Sequence, residues 1–436
     1  MTRHTGPRTR RRMLAATAGA TTVAMLAAAC GNGGNGAEPG SDDADLAGQT
    51  VSVMATWGGE EQDSFLAMVA PWEERTGATV EFTSTRDITA QITAGIASGQ
   101  LPDLAGPPGP AQVHEWFEAG AVQPLDFLDL EAYKASTPGG FAELGMVDGD
   151  TLAGVFIRAA VKGLTFYNTG VWEGEPTTLD DLNEIAAGIG VEHTWCVAME
   201  SGAASGWAGT DWIENILLRQ SGPEVYDAWA AGELEWTSPE VREAFEFFRD
   251  EILADAYGGG NWVVNTNFGR VGGPIFADPP GCLLAQQGSF ITDFFQNEEG
   301  ATTDEISFFA FPDLNDEFTG ALTGGGDLIT MFNDTPAARS LLEWLISAEA
   351  QQIWVERGGF LAANTDIPLD AYPDEVNRRA AEILNTVEIF RFDASDMMPA
   401  GVQDAFHRGM VTFAQDPGSL DSVLDSIEAA RQDAAS

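Results

Sequence analysis

Val51 to Phe82 reads VSVMATWGGEEQDSFLAMVAPWEERTGATVEF, and its pattern changes three times. A β-branched apolar run, Val51 to Ala55, stops at Thr56-Trp57-Gly58-Gly59, and apolar residues then recur at helical spacing in Phe65, Met68, Val69 and Trp72. That order predicts strand, loop and helix. Thr76-Gly77 closes the helix with glycine where a left-handed cap costs least, and Thr79-Val-Glu-Phe82 alternates as a second strand. A strand-helix-strand opening predicts a parallel sheet, in which ligands sit beyond the carboxyl ends of the strands. Here that is the loop carrying Trp57, Gly58, Gly59 and Glu60.

With 436 residues, 44% of them hydrophobic, the chain can bury large cores but is too long for one, so two lobes are expected. Acidic residues outnumber basic ones 67 to 21, and the formal charge is -46. Such a surface repels phosphate backbones and anionic lipid, which excludes nucleic acid as a partner. The acidity has two readings: a solubilising surface, or attraction of a cationic ligand such as a polyamine.

Residues 1–29 read as an export segment. Basic residues end at Arg12, an uncharged apolar stretch runs from Met13 to Ala29, and small residues precede Cys30. Thr9 to Leu14 resembles the twin-arginine export signal. Leu26-Ala-Ala-Ala-Cys30 resembles a bacterial lipoprotein cleavage box, although Ala27 stands where a branched aliphatic residue is usual. The resemblance implies a diacylglycerol on Cys30; the alternative is an ordinary signal peptide with an incidental cysteine. Residues 30–45, rich in Gly, Asn and Asp, then form a flexible tether.

Further along, helices are expected over 86–98, 111–119 and 178–190, with a short strand at Leu101 to Ala105 leading into Gly106-Pro-Pro-Gly109. Two apolar runs, Leu152 to Ile157 and Val161 to Tyr167, are broken by Arg158, which either points into a ligand cleft or pairs with a carboxylate across the lobes. After a strand over 194–199 comes a loop of small residues, Glu200 to Asp211, that carries Trp207 and Asp211. A helix is expected from Trp212. Gly258 to Gly260 is followed by Trp262; strands are expected over 281–288, 306–311 and 324–332, then helices over 336–348, 372–384, 401–413 and 419–430.

Several of these pieces, in this order, resemble the extracellular solute-binding proteins of ABC importers in their maltose- and α-glucoside-binding branch. They are the opening unit, Leu101-Pro-Asp-Leu104, Ala119 to Leu125, Gly154 to Arg158 leading to Phe166-Tyr-Asn168, Thr177 to Leu182, and Gly325-Gly-Asp-Leu-Ile329. Ser201 to Trp212 resembles a narrower subgroup of carbohydrate binders. The resemblance implies an α/β, two-lobed periplasmic-binding-protein-like fold with an interlobe cleft and hinge crossings. Carried onto this chain, lobe 1 is 46–157 plus 326–365 and lobe 2 is 158–325 plus 366–436. Arg158 to Val161 and Gly324 to Asp327 then lie at crossings, which favours the cleft for Arg158. The implied partners are a small carbohydrate, the permease in the membrane and, through Cys30, the membrane surface, for a monomer held outside the cell membrane. No cofactor and no metal are expected.

A sugar has apolar C–H faces and a rim of hydroxyls, so its site needs aromatic plates and planar polar groups. Trp57, Trp207, Trp262 and Phe290 are the candidate plates, and Glu60, Asp103, Arg158, Asp211 and Asp327 the candidate hydroxyl partners. Each loop Trp is alternatively a lid over its own lobe; Trp72 and Trp344, at helical spacing among apolar residues, are core. Cys196 and Cys282 lie in strands assigned to one lobe of a protein in an oxidising compartment, so a disulfide is expected, with two buried thiols as the alternative. A secreted glycosidase is the rival class, but carboxylate pairs arise by chance among so many acids, and no Gly-x-Ser-x-Gly or His-Glu-x-x-His motif occurs.

Overall fold

The computed structural model describes residues 46–138 and 140–435. The export segment, Cys30 and the tether lie outside the described residues. No helix among the described residues is long and apolar enough to cross a membrane.

The opening stretch folds as its pattern predicts. Strand Thr50–Ala55 turns through 56–59 into helix Glu60–Thr76, which ends at Gly77 in the left-handed conformation (φ 71°). Strand Thr79–Ser84 then pairs parallel with the first. The inward face of the helix carries Glu61, Ser64, Phe65, Met68, Val69 and Trp72, all buried. Full burial of an apolar side chain of this size contributes about 1.5–3 kcal/mol, so this face is the main anchor of the unit. The indoles find partners: Trp72 Nε1 donates to Ser340 Oγ at 3.0 Å, and Trp344 Nε1 to the Met68 carbonyl at 2.9 Å. Both tryptophans are core.

Two larger sheets organise the body. The first has seven strands, in the order Leu361–Ala362, Gly154–Val161, Leu322–Met331, Leu104–Gly106, Thr50–Ala55, Thr79–Ser84, with Phe390–Phe392 pairing beside the start of Leu322–Met331. Its opening strands run parallel and its centre is antiparallel, because Leu322–Met331 lies against both Gly154–Val161 and Leu104–Gly106 in the opposite sense. The second sheet has four strands, Ile306–Ala310, Leu164–Asn168, Cys282–Gln287 and His193–Trp195. The chain passes from one sheet to the other at Lys162-Gly163. Gly163 has φ +72°, and Asn215 Oδ1 fills the space a side chain there would need. The Cα atoms of Cys196 and Cys282 lie 5.8 Å apart, a separation that a disulfide can span.

Three expectations change. Arg158 does not break its strand: Gly154–Val161 is continuous, with the guanidinium ion-paired on one face (below) and a register shift in the neighbouring strand between Asp327 and Leu328. The loop expected over 200–211 is mostly helix; Gly206 at φ +111° opens a helix that runs from Trp207 to Ala230 with a kink at Gly222-Pro223, so Trp207 and Asp211 project from its first two turns. Trp262 likewise stands on a helix, Gly259–Asn265.

Candidate functional site

A cleft of about 190 Å³ opens between the sheets. Its floor is set by strand periodicity. Arg158, Ala160 and Lys162 alternate onto one face of the crossing strand, and Gly325 and Asp327 onto the same face of its antiparallel neighbour. Trp57, Glu61, Arg86 and Asp87 line it from the first sheet's loops and helices. Trp207, Phe268, Phe290, Asp393, Asp396, Gln403, Asp404 and His407 line it from the other side.

Arg158 lines the cleft, and its carboxylate partners come from its own sheet and the helix packed on it. Its Nη1 is 2.6 Å from Glu61 Oε1 and 3.4 Å from Asp327 Oδ2. Trp57 Nε1 donates to the same Asp327 oxygen at 2.7 Å. Burial opposes the charge of Arg158, but Glu61 and Asp327 outweigh it and hold the pKa above its ordinary value. Its guanidinium lies 5.3 Å over the Phe290 ring. Arg86 adds a second positive group, 3.8 Å from Glu61 Oε2 and 5.3 Å over Phe268.

Lys162 heads a second network. Its Nζ is 2.9 Å from Asp211 Oδ1 and bonded to Asp393 Oδ2, and it lies 5.5 Å from the centre of the Trp207 ring. Burial again opposes the charge, but the surrounding carboxyls hold the Lys162 pKa well above the usual value. Burial and neighbouring Asp393 push Glu214 well up, and burial and Asp393 do the same to Asp396. Asp211 is pushed up to about 7 by burial, against the pull of Lys162. Burial works on Asp393 too, but Lys162, Ser395 and the Asp396 amide keep it below the ordinary range. Carboxyl oxygens of Asp211, Glu214 and Asp393 lie within 4.8 Å of one another, a spacing suited to a cation. The Lys162 ammonium, bonded to two of the three, supplies that cation from the chain itself.

The structure therefore gathers Trp57, Arg158, Trp207, Phe290 and Asp327 on the cleft wall, with Asp211 directly behind Lys162. Trp57 is nearly fully buried at 1% exposure, between Phe65 (5.1 Å), Phe82 (6.2 Å) and Trp354 (5.5 Å); its contribution is one ring edge and a fixed Asp327 rather than an open plate. Glu60 is exposed and does not line the cleft; helical phase turns Glu61 inward instead. Asp103 is also absent from the lining, since it accepts from Ser52 N and Oγ, both at 2.8 Å, and ties the opening strand down. Trp262 packs edge-on against Tyr257 at 5.3 Å, outside the cleft lining. Sequence reading missed Glu61, Lys162, Asp393, Asp396, Gln403 and His407. One signal was available: Lys134 and Lys162 are the chain's only lysines, and Lys162 ends an apolar strand.

The family of bacterial extracellular solute-binding proteins matches residues 67–381. The osmoprotective compounds-binding protein GgtB of Synechocystis sp. is 33% identical over 390 residues, 87% of this chain and 91% of its own. The alpha-glucosides-binding periplasmic protein AglE of Rhizobium meliloti is 30% identical over 407 residues, 86% of each chain. Among solved structures, the bacterial solute receptor AcbH superposes with a TM-score of 0.76 at 16% identity, covering 88% of this chain and 99% of its own. Such neighbours share the two-lobed architecture. With a cleft between two sheets, buried ion networks in its floor and this extent of similarity, the chain belongs to the bacterial extracellular solute-binding proteins and is a binding protein, not an enzyme.

Proposed function

We propose that this protein captures a small neutral carbohydrate, of the α-glucoside class, by closing its two lobes, and delivers it to the permease of an ABC transporter. The observation that carries this is the make-up of the cleft: ring faces and hydrogen-bonding edges on its walls, with the deep cations Arg158 and Lys162 already committed to carboxylates. An anionic ligand would have to break those pairs, and a polyamine would compete with Lys162 for the same acids. At about 190 Å³ the space is of the same order as the roughly 150 Å³ cavity that accepts benzene, so it suits one or two sugar rings. The relative named for α-glucosides supports the same class.

In this reading lobe 1 comprises 46–157 plus 326–365 and lobe 2 comprises 158–325 plus 366–436, with the crossings at Arg158 to Val161 and Gly324 to Asp327. Twin-arginine export, the Cys30 lipid anchor, the monomeric state and the Cys196–Cys282 bridge belong to the same proposal. Counting free thiols in denaturant without reductant tests the bridge: two reactive groups would exclude it. Radiolabelled palmitate incorporation that persists in Cys30→Ser would exclude the anchor. Ligand itself is tested by a thermal-shift panel of methyl α-D-glucopyranoside, maltose and trehalose against putrescine and spermidine. A ligand bound only by the folded state adds about 2.7 kcal/mol at a hundred times Kd. Shifts with polyamines alone would sink the carbohydrate reading.

A further inference from the structure

Two atoms on the cleft wall have nothing to bond. Among the described residues that line the cleft, Trp207 Nε1 and His407 Nε2 are the side-chain atoms that are buried yet lack a hydrogen-bond partner. A buried donor or acceptor left open is costly, and native folds retain few of them without a reason. Neither arises from loose packing. Trp207 is held at 4.9 Å by Phe268, at 5.9 Å by Phe290 and at 5.5 Å by the Lys162 ammonium. Gly206, immediately before it, is pressed against the His407 backbone so closely that a side chain there would run into the carbonyl. That contact packs the chain at Gly206 against His407, although the two are far apart in sequence, and Trp207 and His407 both line the cleft.

Their chemistry is complementary. The indole N–H only donates, whereas an imidazole nitrogen donates or accepts according to its tautomer. Burial, with Lys162 and Arg408 in the same direction and Asp393 opposing, lowers the His407 pKa to about 4, so the ring is neutral at physiological pH. Asp396, which also lines the cleft, has its pKa raised well above the ordinary value by burial and Asp393. The two open nitrogens are therefore neutral hydrogen-bonding groups at an aromatic ring, which suits a hydroxylated ring carrying no charge.

We propose that Trp207 Nε1 and His407 Nε2 form a hydroxyl-reading subsite that sets which neutral polyhydroxylated ligand the cleft accepts. The inference rests on the carbohydrate reading and assigns its specificity to one corner of lobe 2. A site built to bond a hydroxyl discriminates strongly against the analogue lacking it, because its own polar groups are then left unpaired.

The test is calorimetric titration of the full chain with methyl α-D-glucopyranoside and its 2-, 3-, 4- and 6-deoxy derivatives, for wild type, Trp207→Phe, His407→Leu and His407→Gln. Trp207→Phe keeps a ring and removes only the N–H. It and His407→Leu should each weaken binding of the parent glucoside roughly 5- to 30-fold, the range of one buried hydrogen bond. His407→Gln, which retains a bonding nitrogen, should recover part of that loss. For each variant the loss should vanish on the deoxy derivative that lacks the hydroxyl it reads. Unchanged affinity in the variants, or the same factor lost on all five sugars, would overturn the subsite and leave the carbohydrate reading intact. No saturable binding of any of the five to wild type would overturn the reading itself. Should Trp207→Phe fail to fold, the two His407 variants carry the same comparison.

Discussion

Arg158 and Lys162 lie on the same face of one strand, four residues apart, yet their surroundings are opposites. Around Arg158 the charges balance: Glu61 and Asp327 face Arg158 and Arg86, and Trp57 supplies a further donor to Asp327. Around Lys162 they do not. Asp211, Glu214, Asp393 and Asp396 crowd one ammonium, and Asp211 Oδ2 and Glu214 Oε2 have no hydrogen-bond partner. The first network is complete without a proton or a ligand, so it reads as scaffold. In the second, burial and crowding push Glu214 and Asp396 well up and Asp211 up to about 7, so its energy depends on pH.

The largest effect expected from this contrast is in Arg158→Met. Removing one partner of a buried pair costs about 3–5 kcal/mol, and Arg86 at 3.8 Å from Glu61 and the Trp57 N–H on Asp327 replace the lost guanidinium only in part. Urea unfolding at pH 5 and pH 8 should show a similar loss at both. Lys162→Met should cost nearly as much at pH 8 but distinctly less at pH 5, because its acids can be neutralised by protons. The sign follows from Asp211, whose folded pKa of about 7 exceeds the ordinary carboxylate value. The folded state then binds the extra proton between about pH 4 and 7, and this group's contribution declines as pH rises through that window. Equal losses at both pH values would erase the distinction between the networks.

A finer comparison uses the carboxyls alone. Glu61→Gln removes a charge-assisted bond to Arg158 and should cost about 1.5–3 kcal/mol. Glu214→Gln keeps the oxygen that accepts from Ser395 N at 3.1 Å, at a position where burial and Asp393 push the carboxyl pKa well up, so at pH 7 it should stay within about 1 kcal/mol of wild type. Thermal melts of the unliganded variants decide this; a Glu214→Gln loss as large as that of Glu61→Gln would show that Glu214 is ionised.

The same contrast explains what could be read in the sequence. Every element of the Arg158 network except Glu61 and Arg86 was legible, because strand and helix periodicity are local: Val51 to Trp72, the strand through Arg158 and the run at Asp327 each announce themselves. Glu61 was missed in favour of Glu60 by a single step of helical phase. The Lys162 network was nearly invisible. Asp393 is 231 residues from its partner, between a three-residue strand, Phe390–Phe392, and a four-residue helix, Ala394–Met397, elements too short to carry a period. His407 sits on a helix that sequence reading placed correctly, but nothing local shows that its neighbour is Trp207. Core follows from pattern; a cleft assembled from distant turns does not.

One carboxyl belongs to neither network and reports on both lobes. Asp293, on the helix Ile291–Glu299 that follows a strand of the smaller sheet, fills the space beside Gly359, just before Leu361–Ala362 of the larger sheet. Burial pushes its pKa up to about 7; Arg158 acts against this, and Glu61, Asp374 and Glu60 add to it. If the lobes part, Asp293 leaves that enclosure and its pKa falls back toward the ordinary carboxylate range. Closing then takes up a proton, so affinity for methyl α-D-glucopyranoside should decline as pH rises from about 4 to 7 and level off above. Even one unit of the displacement amounts to about 1.4 kcal/mol, or tenfold in Kd. In Asp293→Asn the charge never forms, and binding should be tighter than wild type at pH 8 and flatter across the window. Persistence of the full pH slope in Asp293→Asn would move its source to Asp211, and with it the coupling between closure and protons from the interlobe contact to the Lys162 network.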